Sequence, residues 1–418
     1  MGVKAFFVIT FTYIRAANLT EVKILQITKK FPYPVKDGEV IGIINLTIGF
    51  HALGHEVTTL SLNTKKHYFD PSKLPVSIQN IAKFVAVDID TTLNPIDAFL
   101  NLFTTRSYNI ERFYSKEFER KIAEVLSTQS FDLILLEGIY LMRYIDVIRK
   151  NTKTKVLLRP QNVEFVIWER LYASETNPLK KLYLKLLASR MKKFELENIN
   201  LADIIIPVSA TDMDIFLTHG CRLPNTSIPT GYVFDSLPCI GAEENAVAFI
   251  GGMDWMPNYE GVMWFIEQVW PNILAVIPDA KFYLAGRNFP ENVRNLKVHG
   301  LTIVGEVEDA VQFISSKSIS IVPLFAGSGM RVKIVEAMAL GRAIVSTSIG
   351  AESLAYTNGK DIVIADDANG FASSIIRILQ NKLYRNELGL NAQQLILSRY
   401  DNRKISESIL EFCKPYLN

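Results

Sequence analysis

Short apolar runs alternate along this chain with stretches whose apolar positions recur every three or four residues. The short runs predict strands at residues 22–27, 57–62, 133–136, 156–158 and 204–208. After an interruption a second series follows at 246–250, 281–285, 302–304, 318–324, 343–348 and 361–364. Helices of about ten to fifteen residues fit between most of them, the pattern of parallel sheets with helices on both faces. The interruption, residues 224–244, is rich in proline, glycine and polar residues and marks the best domain boundary. The chain has 418 residues, more than one ordinary core accommodates. The expectation is two doubly wound α/β domains of similar size, Rossmann-like, at 21–225 and 226–399. Ligands of open parallel sheets bind at the carboxyl ends of the strands, so two such domains facing each other would enclose a cleft. There is no internal repeat and no low-complexity tract.

The most informative stretch is 323–341, Pro-Leu-Phe-Ala-Gly-Ser-Gly-Met-Arg-Val-Lys-Ile-Val-Glu-Ala-Met-Ala-Leu-Gly. It predicts a buried strand, a glycine loop, and a helix ending at Gly341. A glycine loop feeding a helix N-terminus offers free backbone N–H groups and the positive end of the helix dipole, which suits phosphate. Two cations there, Arg331 and Lys333, suit a diphosphate. Lys333 and Glu336 are three apart and share a helical face, so they could hold a phosphate and a sugar hydroxyl together. Val332, Val335 and Ala339 face a core.

Composition narrows the classes. Apolar residues make up 49% and charged residues 21%, and the net charge is +2. That is a globular chain with no electrostatic reason to bind nucleic acid. Three distant cysteines, Cys221, Cys239 and Cys413, support neither a disulfide framework nor a zinc site and fit a reducing compartment. An apolar run at 5–14, between Lys4 and Arg15, faintly resembles a signal peptide. It is too short to span a bilayer, and an extension ahead of the first strand, residues 1–20, is the simpler reading. A cytoplasmic location is expected.

Other segments are candidates on position. Lys29 to Glu39 follows the first strand without a G-x-G-x-x-G, which disfavours a dinucleotide fold of the usual type. Gly38 there lets backbone approach a ligand, or simply turns the chain. Among the histidines none has metal-ligand spacing, and His67 alone sits in a loop pointing to the cleft. Asp88-Ile-Asp90 has D-x-D form in an expected loop, although two acids so spaced recur by chance. Glu137 ends one strand, and Arg159-Pro-Gln-Asn-Val-Glu164 follows the next. Gln161 and Asn162 are therefore acceptor-side candidates, while Glu164 could cap the helix or pair with Arg159. The helix at 177–198 is basic and amphipathic, suited to an anionic membrane or to a solvated face over an ordinary core. Gly251-Gly252, a glycine turn at Gly305 to Val307, and Ser348-Ile-Gly350-Ala-Glu352 add three glycine loops at one sheet edge.

These motifs resemble the retaining glycosyltransferases of family 4, with the GT-B fold. The likeness is strongest over 249–354, through Gly-Gly-Met-Asp-Trp-Met-Pro-Asn, Gly-Glu-Val, Gly-Ser-Gly-Met-Arg-Val-Lys-Ile-Val-Glu-Ala-Met-Ala and Ser-Thr-Ser-Ile-Gly-Ala-Glu. It extends more weakly through Lys-Phe-Pro-Tyr-Pro, Gly-His-Glu-Val and Asn-Val-Glu-Phe-Val-Ile-Trp-Glu-Arg. The resemblance implies an acceptor-binding first domain, onto which a helix in 400–418 packs back, and a donor-binding second domain. Glu336 would accept hydrogen bonds from the nucleotide ribose. Gly327, Ser328 and Gly329 would line the donor phosphate and sugar, and Arg331 and Lys333 would neutralise the diphosphate. Gly305 to Val307 would touch the base, and Gly38 would meet the donor from the opposite domain.

Departures from the family pattern are specific. Ser328 stands where the first acid of E-x7-E belongs. Met253 and Asn258 stand where an Arg and a Lys are usual, and Gln161 where His is common. The expectation is a hexose transfer from a nucleotide diphosphate sugar to a glycan or lipid-linked acceptor in surface polysaccharide synthesis. No metal is expected if Arg331 and Lys333 carry the charge, and peripheral membrane contact through 177–198 is a further expectation. Two alternatives stand beside it: a non-catalytic nucleotide-sugar-binding protein, and an epimerase or phosphorylase on the same fold.

Overall fold

The computed structural model describes residues 21–35, 37–101, 103–233, 242–327, 331–352 and 354–417. The expected extension at 1–20, Cys239 and the candidates Ser328 and Gly329 lie outside the described residues. The chain divides into two compact units, one running to Gly231 and resuming at Asn402, the other Tyr232–Asp401.

The first unit is built on β1 (Lys23–Thr28), β2 (Glu56–Thr64), β3 (Lys83–Ile89), β4 (Leu133–Glu137), β5 (Lys155–Leu158) and β6 (Ile204–Ile205). They form one sheet in the order β3-β2-β1-β4-β5-β6, and each neighbouring pair is parallel. The central strands β1 and β4 bury almost every residue, as a sheet covered on both faces requires. β3 has no counterpart among the expected strands. It is an edge strand, half-buried, that begins at Lys83 and carries Asp88. An edge tolerates charge because only one side is paired, and that polarity hid its periodicity. Asp88 is therefore in a strand and not in the expected loop, aligned with Asn63 of β2.

The second unit repeats the plan. Its strands are β7 (Glu243–Ile250), β8 (Lys281–Ala285), β9 (Leu301–Gly305), β10 (Lys317–Val322), β11 (Ala343–Ser346) and β12 (Val363–Ile364). Their order is β12-β11-β10-β7-β8-β9. Counted within its own unit, each sheet runs 3-2-1-4-5-6, the order of dinucleotide-binding sheets, although the glycine fingerprint is absent. The order reverses between β1 and β4 and again between β7 and β10. Chains leaving those neighbouring strands diverge to opposite faces, which opens a crevice at the strand ends.

Helices fix what stands at those ends. In the first unit α1 (Gly38–Ala52) is capped by Asp37, whose carboxylate accepts from the Val40 N–H at 3.0 Å. α2 (Pro95–Asn101), α3 (Glu164–Ser174) and α4 (Pro178–Asn198) follow, α4 capped by Asn177. In the second unit α5 (Met256–Trp264) leaves the β7 loop, α6 (Val332–Ala339) leaves the β10 loop, and α7 (Lys382–Arg399) packs on α6. The chain then returns to the first unit as α8 (Asn402–Cys413). Ile405, Ile409, Leu410 and Cys413 of α8 join Leu46 and Phe50 of α1 in one core cluster. The two helices touch at Gly49, where a Cβ would lie 1.9 Å from Ser406 Oγ.

That approach gives a stability prediction. Gly49→Ala lowers the urea-unfolding free energy by roughly 1–3 kcal/mol, despite alanine's better helix propensity. Adding Ser406→Gly recovers most of the loss. A single variant as stable as the parent contradicts the packing.

Candidate functional site

In the second unit the crevice between β7 and β10 is closed by one hydrogen-bonded chain. Lys333 Nζ, on α6, donates to Asn258 Oδ1 on α5 at 2.7 Å. Asn258 Nδ2 donates in turn to the Gly252 carbonyl in the loop after β7 at 2.8 Å. The Phe249 ring, near the end of β7, lies 4.3 Å from the Lys333 ammonium. Among the described residues no carboxylate pairs with Lys333. Burial, together with the positive charge of Arg331, lowers its pKa to about 7. Glu336 is one turn along the same face and does not pair with it. Burial pushes the Glu336 carboxyl up to about 7. Opposite charges one turn apart commonly neutralise each other on a helix. Here both are half-desolvated and separate, and perturbed groups of this kind cluster at functional sites.

The other donor-side candidates lie in loops of the same unit. Arg331 is the residue before α6 and is buried, its guanidinium 5.5 Å from the Trp255 ring centroid. Gly327 has φ +129°, and a Cβ there would lie 2.3 Å from Arg331 Nη2. The absence of a side chain at Gly327 is what lets the guanidinium fold back beside the loop. Gly251 follows β7 and donates to the Ala285 carbonyl at 3.1 Å. Gly305 ends β9, where its carbonyl accepts from Gly286, and Val307 follows half-buried. Gly350 donates to Thr347 Oγ1 at 3.0 Å just beyond β11, and Glu352 lies in the same turn. All belong to loops at the carboxyl edge of this sheet.

The first unit gathers a different set. Glu137 ends β4 fully buried and accepts from Gln26 Nε2 at 2.9 Å and from Gln161 Nε2 at 2.8 Å. Burial raises its pKa, and Arg159, Gln26 and Gln161 offset part of that rise. Arg159 does not pair with Glu164. Its guanidinium donates to the carbonyls of Ile228 and Pro229, both at 3.1 Å, because those carbonyls face it while Glu164 points elsewhere. The Glu164 carboxylate accepts from the Tyr140 hydroxyl at 3.1 Å and lies 4.0 Å from Lys29. The cap of α3 comes from Glu195, which accepts from the N–H groups of Glu164 and Phe165 at 3.2 and 2.9 Å. Asn162 hydrogen-bonds to Glu164. Gly38 opens α1, exposed. His67 ends a short turn after β2 and is half-buried.

Around Gly38 stand residues that the sequence pattern passed over. Lys30 reaches Asp37 at 2.9 Å and Glu39 at 3.0 Å, and Lys29 reaches Glu39 at 3.4 Å. Burial alone would lower the Lys30 pKa, but the two acids outweigh it and raise the value. The Lys-Lys pair after β1 was the available signal. Asn258 was visible only as a replacement for a cation. The D-x-D acids are otherwise engaged: Asp88 accepts from Asn63 at 2.8 Å, and Asp90 accepts from Thr92 Oγ1 at 2.6 Å and Lys65 at 3.2 Å.

Known proteins share this plan. Residues 244–381 match the model for "Glycosyl transferases group 1". A phosphatidyl-myo-inositol mannosyltransferase of Mycolicibacterium smegmatis is 30% identical over 148 residues, 34% of this chain and 38% of that protein. An uncharacterized 44.6 kDa protein in the cps region of Klebsiella pneumoniae is 27% identical over 412 residues, 93% of this chain and 99% of its own. The solved structure of Anabaena Alr3699/HepE in complex with UDP-glucose superposes with a TM-score of 0.63 at 14% identity, covering 94% of this chain and 100% of that one. The chain is a GT-B glycosyltransferase.

In this glycosyltransferase the separated pair has a measurable signature. Between its ordinary 4.5 and about 7, folded Glu336 keeps a proton that the unfolded chain has released. Its stabilisation is therefore full below about 4.5 and is lost as pH rises through 7. Lys333 acts in the next window: from about 7 to 10.5 the unfolded chain holds the proton, so stability rises with pH. Glu336→Gln should remove from the low window a slope of at most roughly 1.4 kcal/mol per pH unit. Urea midpoints measured across that window check it, and an unchanged slope in the variant refutes the burial of Glu336.

Proposed function

We propose that this glycosyltransferase is a retaining enzyme of family 4 that transfers a hexose from a nucleotide diphosphate sugar to a glycan or lipid-linked acceptor in surface polysaccharide synthesis. The observation that carries this reading is the Lys333 ammonium, held by the neutral Asn258 and lacking a carboxylate partner among the described residues. A diphosphate arriving at the crevice supplies the missing counter-charge. Its negative charge restores the protonated state of Lys333, and Arg331 adds a second cation. Glu336, one turn along, accepts from a ribose hydroxyl, which favours its ionised form. These fixed charges act most strongly as the sugar–phosphate bond breaks and charge builds on the leaving diphosphate. Preorganised groups of this kind contribute several kcal/mol where water is excluded. Arg331 and Lys333 thereby do the work of charge neutralisation without a metal ion.

Three relatives support the choice of substrates. The Anabaena structure carries UDP-glucose, the mycobacterial relative is a mannosyltransferase of a lipid, and the Klebsiella relative belongs to a cps region. Among the described residues no helix is long and apolar enough to cross a membrane. A cytoplasmic enzyme working on acceptors at the membrane surface fits these facts.

A thermal-shift screen with UDP-, GDP- and ADP-sugars identifies the donor, since a ligand of the native state raises the melting temperature. Lys333→Ala and Glu336→Ala should each lower transfer by about 10²-fold or more while leaving the melting temperature of the free enzyme unchanged or higher. Product NMR should show the donor's anomeric configuration kept. Full activity in either variant removes these residues from the site. A donor that binds but never transfers to any glycan or lipid-linked acceptor replaces catalysis by binding alone.

A further inference from the structure

α4 spans 21 residues, yet none of its buried side chains, Leu187, Ala188, Met191 and Glu195, comes before Leu187. The first two turns cover no core. Leu179 and Leu182, three apart and so on one face, are 81% and 69% exposed. A second apolar group lies on and just after α2, where Ile96, Leu100 and Phe103 are 69%, 57% and 78% exposed. The two groups are tied together. Arg190 of α4 donates to the Asn101 carbonyl at 2.9 Å and to its Oδ1 at 3.0 Å, at the C-terminal end of α2. Along α4, Leu182 stands eight residues from that tie, about 12 Å.

Charge selects what covers this surface. Residues 178–193 contain six cations and no acid. Lys180, Lys181 and Lys185 alternate with the exposed leucines, and Lys181 lies over the Tyr172 ring. Some of the charge is met locally, since Lys180 pairs with Glu175 at 2.5 Å, Lys192 with Glu169 at 3.0 Å and Lys193 with Glu197 at 3.8 Å. The remainder is positive. Scattered exposed leucines need no explanation, but apolar side chains interleaved with lysines on α4, tied to the apolar group of α2, whose one charged residue is Asp97, form an interfacial surface. A second copy of the chain would set like charges against like. An anionic bilayer would take the apolar tips at the acyl boundary and the lysines at its headgroups. The geometry points to the α2–α4 face as a docking surface for anionic phospholipid. This rests on the exposed surface and not on the donor site.

The test is co-sedimentation of the whole protein with vesicles of phosphatidylcholine alone and of phosphatidylcholine mixed with phosphatidylglycerol. The protein should bind the mixed vesicles, less so as salt rises, and leave the neutral ones free. Phe103→Asp with Leu182→Asp should reduce binding at least about tenfold. Lys180→Ser, Lys181→Ser and Lys185→Ser together should reduce it by about fivefold per lysine. Both variants should keep the parent's melting temperature and its thermal shift with nucleotide sugar, so a failed donor site would be seen separately. No binding of the parent to mixed vesicles overturns the proposal, as does undiminished binding of both variants. Self-association abolished by the same substitutions, without vesicle binding, assigns the face to a second copy instead.

Discussion

The proposed donor site depends on one constraint: the Lys333 ammonium is held in poorly solvated surroundings by a neutral partner. Asn258 fixes its position but cannot neutralise it. Phe249 offers the face of a ring, and Arg331 adds charge of the same sign. A lysine so placed is costly to protonate in the free protein. The cost falls when an anion arrives, so binding an anion and charging the lysine become one event. Glu336 obeys the converse rule on the same helix face. It is costly to ionise in the free protein, and a hydroxyl that donates to it lowers that cost.

The two units apply one topology to opposite ends. Each sheet reverses its order between its first and fourth strands, and each places lysines near that point. In the first unit Lys29 and Lys30 are met by Asp37, Glu39 and Glu164. The three acids outnumber the two lysines, and the network holds the start of α1 and of α3 in place. In the second unit the corresponding cation has no acid among the described residues. Strand order therefore says where a ligand could bind, and the local balance of charge says which kind.

Much of this was legible in the sequence, and the gaps have physical causes. Parallel strands buried on both faces appear as apolar runs, so both central pairs stood out. The edge strand β3 did not, because one-sided pairing permits Lys83 and Asp88. Arg331, Lys333 and Glu336 were legible because they sit at fixed spacing beyond a glycine loop. Asn258 was not, since an amide seventy-five residues away gains meaning only when folding brings it to Lys333. The Glu137–Gln161 contact is similar: two strand ends pointed to both residues, but only the pairing of β4 with β5 makes them partners. The pairing of Arg159 with Glu164, one of the readings open from sequence, does not form, because the carbonyls that take the guanidinium lie some seventy residues further along.

Proton uptake on binding tests the central claim most directly. A nucleoside diphosphate titrated calorimetrically into the protein at about pH 8.5, in buffers of different ionisation enthalpy, should bring with it close to one proton. The uptake should vanish in Lys333→Met, which retains the length of the side chain without its charge. Tight binding with no proton uptake, or the same uptake in the variant, would show that Lys333 is already charged in the free protein and would contradict the account.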